Sequence, residues 1–319
     1  MSELLMIAIL ILGGLVLLYF GADWLVKGAV TISLKFGLSP LIVGLTVVAL
    51  GTSLPEALVS IQATLDNQGG IALGNVIGSN ILNIALILGL SSLLQPLKVD
   101  SHLVKADVPI LFGASFLLIV LLEDFHISRM EGALLLLGIV FYVTGNIMTV
   151  KRTSPAEDQI EGMEVPEDPS KNLLRDIGFL ILGLIALALG SNFLVEGSVD
   201  LARIWGLSEA LIGLTIVSIG TGTPELATAL MAAYRKTADI AIGNAVGSNI
   251  FNIFFVVGLA GLIAPIEATG INSSDLYVMF GLTFLLLPTV WTGMVLDRKE
   301  GFLFVAIYVA YIYYLWTTI

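Results

Sequence analysis

Glu56 and Glu225 each sit inside a long apolar stretch, in the runs "GTSLPE" (51–56) and "GTGTPE" (220–225). A carboxylate held in hydrocarbon is costly, and such groups are functional by default. Thr52 precedes Glu56 by four residues and Thr221 precedes Glu225 by four, so on a helix each pair shares one face. Pro55 and Pro224 have no N–H to donate, so each interrupts the helical ladder and frees a carbonyl about one turn earlier. Freed carbonyls at membrane depth are tolerated where they line a cavity or bind an ion. Ser79 and Asn83 form another i, i+4 pair, which Ser248 and Asn252 repeat. Carboxylates, hydroxyls, carboxamides and carbonyls, without sulfur or imidazole, form an oxygen-only set for a hard cation, and six to eight such ligands suit Ca2+. The glutamates disfavour anions. Nearby, Asn75, Asn80, Asn244 and Asn249 read as bridges between helices.

Membrane-spanning helices must carry these residues. Of the 319 residues 57% are hydrophobic and only 12% charged, and the mean hydropathy is +1.00, which points to a chain dissolved in lipid. Ten apolar segments are marked off by charges and turns, at 4–26, 40–64, 71–94, 106–122, 132–150, 177–195, 210–234, 240–266, 276–296 and 301–319. They lack the period-2 alternation of barrel strands, so helices are expected. Met-Ser-Glu at the start lacks a basic flank and cleavage site, so the first segment is kept as a span. The absence of cysteine excludes disulfides and thiol chemistry. His102 and His126 fall in loops expected on opposite faces, which excludes imidazole catalysis at the midplane, and a net charge of −11 argues against a nucleic-acid partner. If the N-terminus faces outward, twelve of fourteen Lys and Arg side chains fall in inner loops and only Arg129 and Arg203 in outer ones. Both termini are therefore expected outside a cell membrane, with the 151–175 loop in the cytoplasm.

The chain is also written twice. At an offset of 169 residues "GLSPLIVGLTVVALGTSLPE" (37–56) lies on "GLSEALIGLTIVSIGTGTPE" (206–225), and "IALGNVIGSNILNI" (71–84) on "IAIGNAVGSNIFNI" (240–253). Between Gly21 and Leu90, 29 of 70 positions match their partners without a gap, which apolar bias alone does not produce. Lys27 falls on Glu196, and Asp66-Asn67 on Arg235-Lys236. Positive charge thus changes ends between the copies, as it must if the second is upside down. The expected fold is an all-α integral membrane protein of ten transmembrane helices in two inverted-topology five-helix repeats, 1–150 and 176–319. Residues 151–175, rich in Asp, Glu and Pro without apolar periodicity or EF-hand spacing, form an acidic cytoplasmic linker. Inverted repeats recur in secondary transporters, with the site at the repeat interface near the midplane.

"GTSLPE" and "GTGTPE", each followed by "GNxxGSNxxN", resemble the two α-repeats of the calcium/cation antiporter superfamily, specifically its sodium/calcium exchanger branch. The resemblance implies cation ligands at Thr52, Ser53, Glu56, Ser79 and Asn83, and at Thr221, Glu225, Ser248 and Asn252, with backbone carbonyls at Ala49 and Ser218. It implies no resident cofactor: Ca2+ and Na+ are cargo, the lipid bilayer is the surrounding partner, and a single chain suffices for function. Two positions depart from the pattern: Gly222 stands where a Ser is usual, and Asn252 where some members have Asp. Two glutamates at low dielectric are neutralised by one Ca2+ or by two or more Na+, and an empty site leaves them unpaired, so loaded states cross and the empty one does not. The resemblance further implies that the first and sixth helices slide as a pair across the other eight, with Gly13, Gly14, Gly21, Gly28, Gly183, Gly190 and Gly197 expected to smooth that interface, and that Ca2+ is extruded. The same carrier using K+ in addition to Na+, or H+, as counter-ion is the alternative, and a cation channel a more distant one.

Overall fold

The chain, in a computed structural model, is described for residues 3–150, 173–205 and 218–318. Helix α1 runs over Glu3–Phe36, α2 over Pro40–Thr52 and α3 over Leu54–Leu65. They are followed by α4 (Gly69–Leu94), α5 (Leu103–Leu121) and α6 (Arg129–Val150). In the second half lie α7 (Leu173–Ile204), α8 (Ser218–Thr221), α9 (Thr223–Tyr234), α10 (Ala238–Ile263), α11 (Ser273–Trp291) and α12 (Arg298–Thr318). Among the described residues eight helices are long and apolar enough to cross a membrane, or nine with the bent pair α2–α3. Ten spans are compatible with this, because the expected seventh span, 210–234, is described only from Ser218. Most of the expected linker, and the "GLSEALIGLTIV" part of the second motif, lie outside the described residues. Leu173, Leu174 and Arg175, expected in the linker, belong to α7.

Two helices outrun the segments read from the sequence. Helix α1 has 34 residues and α7 has 32, roughly 50 Å each at about 1.5 Å per residue, against a hydrocarbon core of about 30 Å. The sequence reading ended the first span at residue 26 because Lys27 and Lys35 follow. The helix continues because those charges are paired: Lys27 with Asp23 at 2.8 Å and Lys35 with Asp176 of α7 at 3.4 Å. Asp23 also takes the guanidinium of Arg235, just beyond α9, tying α1 to the rest of the bundle.

Helices α1 and α7 run antiparallel along a glycine seam. A β-carbon on Gly14 would stand 2.8 Å from the Gly190 carbonyl, one on Gly21 3.0 Å from that of Gly183, and one on Gly28 3.0 Å from that of Asp176. The spacing of seven residues keeps these glycines on one stripe, and the close approach replaces the hydrophobic drive that lipid cannot supply. This corrects the expectation that the glycines smooth the face sliding over the other helices: all of them except Gly13 join the pair to itself. Gly14→Ala or Gly21→Ala should therefore overpack against backbone and cost about 1–3 kcal/mol. Gly13, with nothing within 4 Å of an added β-carbon, supplies the control. If Gly13→Ala lowers the thermal midpoint in detergent as much as Gly14→Ala does, the seam is not what holds the pair.

Helices α4 and α10 stand at the centre, with 72% and 78% of their apolar windows buried, against 11% for α12 at the periphery. Gly243 and Gly247 of α10 lie against the carbonyls of Leu41 and Leu45 in α2, leaving no room for a side chain. Two short ribbons display the inversion. Strand β1 (Leu97–Lys98) pairs with β4 (Val295–Leu296), and β2 (His126–Ile127) with β3 (Ile266–Glu267). At the 169-residue offset β1 corresponds to β3 and β2 to β4, so each strand pairs with the counterpart of the other. Equivalent loops of the two halves thus lie on opposite faces. His102 and His126, at opposite ends of α5, are separated as expected.

Candidate cation site

The prolines begin helices rather than kink them. Helix α2 ends at Thr52, Ser53 stands between helices, and Pro55 falls in the first turn of α3, whose axis departs by 42°. A proline there loses no hydrogen bond, because the first N–H groups of a helix have no partner within it. Gly222 and Pro224 repeat the arrangement between α8 and α9. Glu56 and Glu225 therefore sit in the first turns of α3 and α9, where free N–H groups favour a carboxylate. The carbonyl one turn before Pro224, that of Gly220, accepts the Ser191 hydroxyl of α7 at 2.6 Å. The Ala49 carbonyl accepts the Ser53 N–H at 3.0 Å and lies 3.4 Å from the Thr52 hydroxyl.

Both glutamates are 1% exposed. The side chains around them obey the pseudo-two-fold relation of the sequence. Thr52 donates its hydroxyl to Asn244 Oδ1 at 3.1 Å, and Thr221 donates to Asn75 Oδ1 at 3.5 Å. Asn75 and Asn244 in turn donate to the carbonyls of Glu56 (3.2 Å) and Glu225 (3.5 Å). Asn80 and Asn249, counterparts at the offset, donate to each other's carbonyls at 3.4 and 3.1 Å. Their side-chain oxygens receive the amides of Asn83 (2.9 Å, at Asn249) and Asn252 (3.1 Å, at Asn80).

These bonds consume donors. Each threonine proton is spent on an asparagine, and the amide groups of Asn83 and Asn252 are spent on the central pair. What remains is a set of acceptors. Both oxygens of Glu56, both of Glu225, and Oδ1 of Asn83 and Asn252 are buried and accept no hydrogen bond from any described residue; Ser53 Oγ is likewise buried and unbonded. Buried acceptors left in this state are costly unless a cation takes them. Asn83 and Asn252 also lie in π-helical turns, Leu82–Leu88 and Asn252–Val257, a local widening frequent at functional sites.

The expected residues fall as follows. Thr52, Ser53, Glu56, Ser79, Asn83, Glu225, Ser248 and Asn252 are all buried in the core of the bundle. Thr221, at the end of α8, is half-buried. Ser248 Oγ lies 3.4 Å from Thr52 Oγ1. Ala49 is in α2 behind the break, and Ser218 is the first residue of α8. Asn75, Asn80, Asn244 and Asn249 bridge helices as expected, but they also orient the site. Leu82 was missed altogether: its Cδ2 stands 2.2 Å from where a β-carbon on Gly222 would be. No sequence signal joins positions so far apart, whereas the asparagines were marked by their 169-residue spacing.

A family model described as sodium/calcium exchanger protein matches residues 6–148 and 176–317. The chain is 33% identical to the sodium/calcium exchanger MaX1 of Methanosarcina acetivorans, over 95% of this chain and 97% of that one. It is 38% identical to the inner membrane protein YrbG of Escherichia coli K12, over 88% of each. Among solved structures, the sodium-calcium exchanger NCX_Mj matches with a TM-score of 0.84 and 32% identity, over 97% of this chain and 98% of that one.

Proposed function

The chain belongs to the sodium/calcium exchanger family, a multi-pass membrane transporter exchanging Ca2+ for Na+, and from that premise we propose that Glu56 and Glu225 are the carboxylates that bind the exchanged ions. The supporting observation is the set of buried acceptors that no hydrogen bond satisfies: four carboxylate oxygens, two carboxamide oxygens and the Ser53 hydroxyl. Thr52, Thr221, Ser79 and Ser248 complete the shell, with carbonyls at Ala49 and Ser218. A hard divalent cation takes six to eight such oxygens. One Ca2+ cancels the two charges, and Na+ ions cancel them in its place, while the empty site is penalised by desolvation. Loaded states therefore exchange access and the empty state does not.

The moving element is the α1–α7 pair. Leu184 and Val195 of α7 lie directly against Gly51 and Gly220, the residues preceding Thr52 and Thr221. A displacement of α7 thus uncovers or covers the helix breaks that hold the site. The glycine seam makes α1 follow. The pair acts within one chain, and inward Na+ drives Ca2+ out. In proteoliposomes, Ca2+ uptake should follow an imposed Na+ gradient and ignore K+ and H+ gradients. Uptake driven by K+ or H+ alone would overturn Na+ as the counter-ion, and single-channel currents would overturn the carrier.

The Lys and Arg distribution supports a topology with both termini and Arg129 outside and 151–175 in the cytoplasm. The chain has no cysteine, so single introduced cysteines report position cleanly. A cysteine in 151–172 should resist an impermeant thiol reagent on intact cells, and one at Arg129 should react. The opposite pattern would invert the topology.

A further inference from the structure

The site is lopsided, and the missing piece has been filled with hydrocarbon. Ser53 offers a buried hydroxyl that no described residue bonds. Its counterpart at the 169-residue offset is Gly222, at the equivalent helix break with nearly the same backbone: φ −82 and ψ 1 for Ser53, φ −84 and ψ 4 for Gly222. A hard cation that loses a protein ligand ordinarily takes a water instead. Here the Cδ2 of Leu82, reaching over from α4, stands 2.2 Å from where a β-carbon would be. Leu82 is itself buried, at 3% exposure. An oxygen placed at that point has to displace the Leu82 methyl.

Thr223, the next residue, is turned back on its own segment. Its hydroxyl donates to the Ile219 carbonyl at 3.0 Å, within its own segment. The charge inventory points the same way. Asn83 and Asn252 are neutral, so among the described residues of the site Glu56 and Glu225 supply the two formal negative charges. One Ca2+ balances them, and two Na+ balance them equally. A third Na+ would bring an excess positive charge into the low-dielectric interior and would need its own oxygens on the side that Leu82 closes.

Resting on the reading of Glu56 and Glu225 as the ion-binding carboxylates, we propose that Gly222 and Leu82 together remove one monovalent-cation position, so that the exchanger loads two Na+ against one Ca2+ and moves no net charge. Leu82 is then a stoichiometry-determining residue.

The test is the end-point of Ca2+ accumulation in proteoliposomes containing the full chain, with the membrane potential set by K+ and valinomycin. With two Na+ per Ca2+, a Na+ gradient of about tenfold sustains a Ca2+ gradient of about 100-fold, independent of potential; a third Na+ would raise it to about 1,000-fold at zero potential. The expected result for the unaltered chain is the square dependence and no response to potential. A cube dependence with a potential-sensitive end-point would overturn the ratio while leaving the exchange reading intact. No Na+-driven Ca2+ accumulation at all would overturn the exchange reading and the ratio with it. In the double variant Gly222→Ser/Leu82→Ala, which restores both hydroxyl and room, the end-point should move toward the cube dependence and respond to potential. Leu82→Ala alone, which admits water without a hydroxyl, should show a lower apparent Na+ affinity than the double variant. If the double variant accumulates Ca2+ with the dependence of the unaltered chain, Gly222 and Leu82 do not set the ratio.

Discussion

Glu56→Gln and Glu225→Gln should each abolish Ca2+ exchange while the protein still inserts and folds. Removing one partner of a buried charge assembly costs about 3–5 kcal/mol, or roughly 10²–10⁴ in affinity. Gln also puts an NH2 donor where the cation needs an acceptor. The change is nearly isosteric, so packing around α3 and α9 is retained. The sign of the stability effect separates this account from simple damage. Both carboxylates are buried with every oxygen unbonded, so in Ca2+-free detergent either Gln variant should melt at or above the midpoint of the unaltered chain. Added Ca2+ stabilises only what it binds. The Ca2+-induced rise in midpoint should therefore vanish in both variants. Near-normal flux, or a preserved Ca2+-induced rise, would remove that glutamate from the site.

The legibility of this molecule in its sequence follows from what the duplication encodes. Residues at equal positions in the two halves meet across the pseudo-two-fold axis, so Asn80 with Asn249 was prefigured by a spacing alone. The carboxylates and their threonines were visible because polar residues at membrane depth have so few structural reasons to exist. The ends of α1 and α7 were hidden because an apolar window stops at Lys27 and Lys35, and their neutralising partners Asp23 and Asp176 are apparent only in three dimensions. The glycines were visible as small residues, but which neighbour they admit is a property of helix rotation. A stripe of period seven serves an internal seam as readily as a sliding face. Leu82 could not be read at all. An apolar residue in an apolar helix carries no signal until its methyl is found in the space beside Gly222.

The asparagine pair supplies the second large effect. Asn83 gives its amide to Asn249 Oδ1 at 2.9 Å, and its own Oδ1 is left buried and unbonded among the acceptors of the site. Truncating Asn249 to Ala leaves the Asn83 NH2 a buried donor without a partner, at a cost of about 1–3 kcal/mol. The carboxamide can relieve this by turning over, which presents NH2 to the cation in place of oxygen. Residues that orient metal ligands typically change affinity about 10–100-fold when lost. Asn249→Ala should therefore weaken Ca2+ binding by that factor without touching either carboxylate. Asn80→Ala should do the same through Asn252, whose amide it holds at 3.1 Å. A double-mutant cycle distinguishes orientation from general loosening. If Asn249 acts through Asn83, then Asn249→Ala made in an Asn83→Ala background should add little further loss, because the group it orients is already gone. Crossing the pairs, Asn249→Ala with Asn252→Ala, should give nearly additive losses, since Asn252 is held by Asn80. Ca2+ affinity read from the ligand-induced shift in melting midpoint measures all four combinations. Additive losses in both cycles would reduce the asparagines to a strut between α4 and α10.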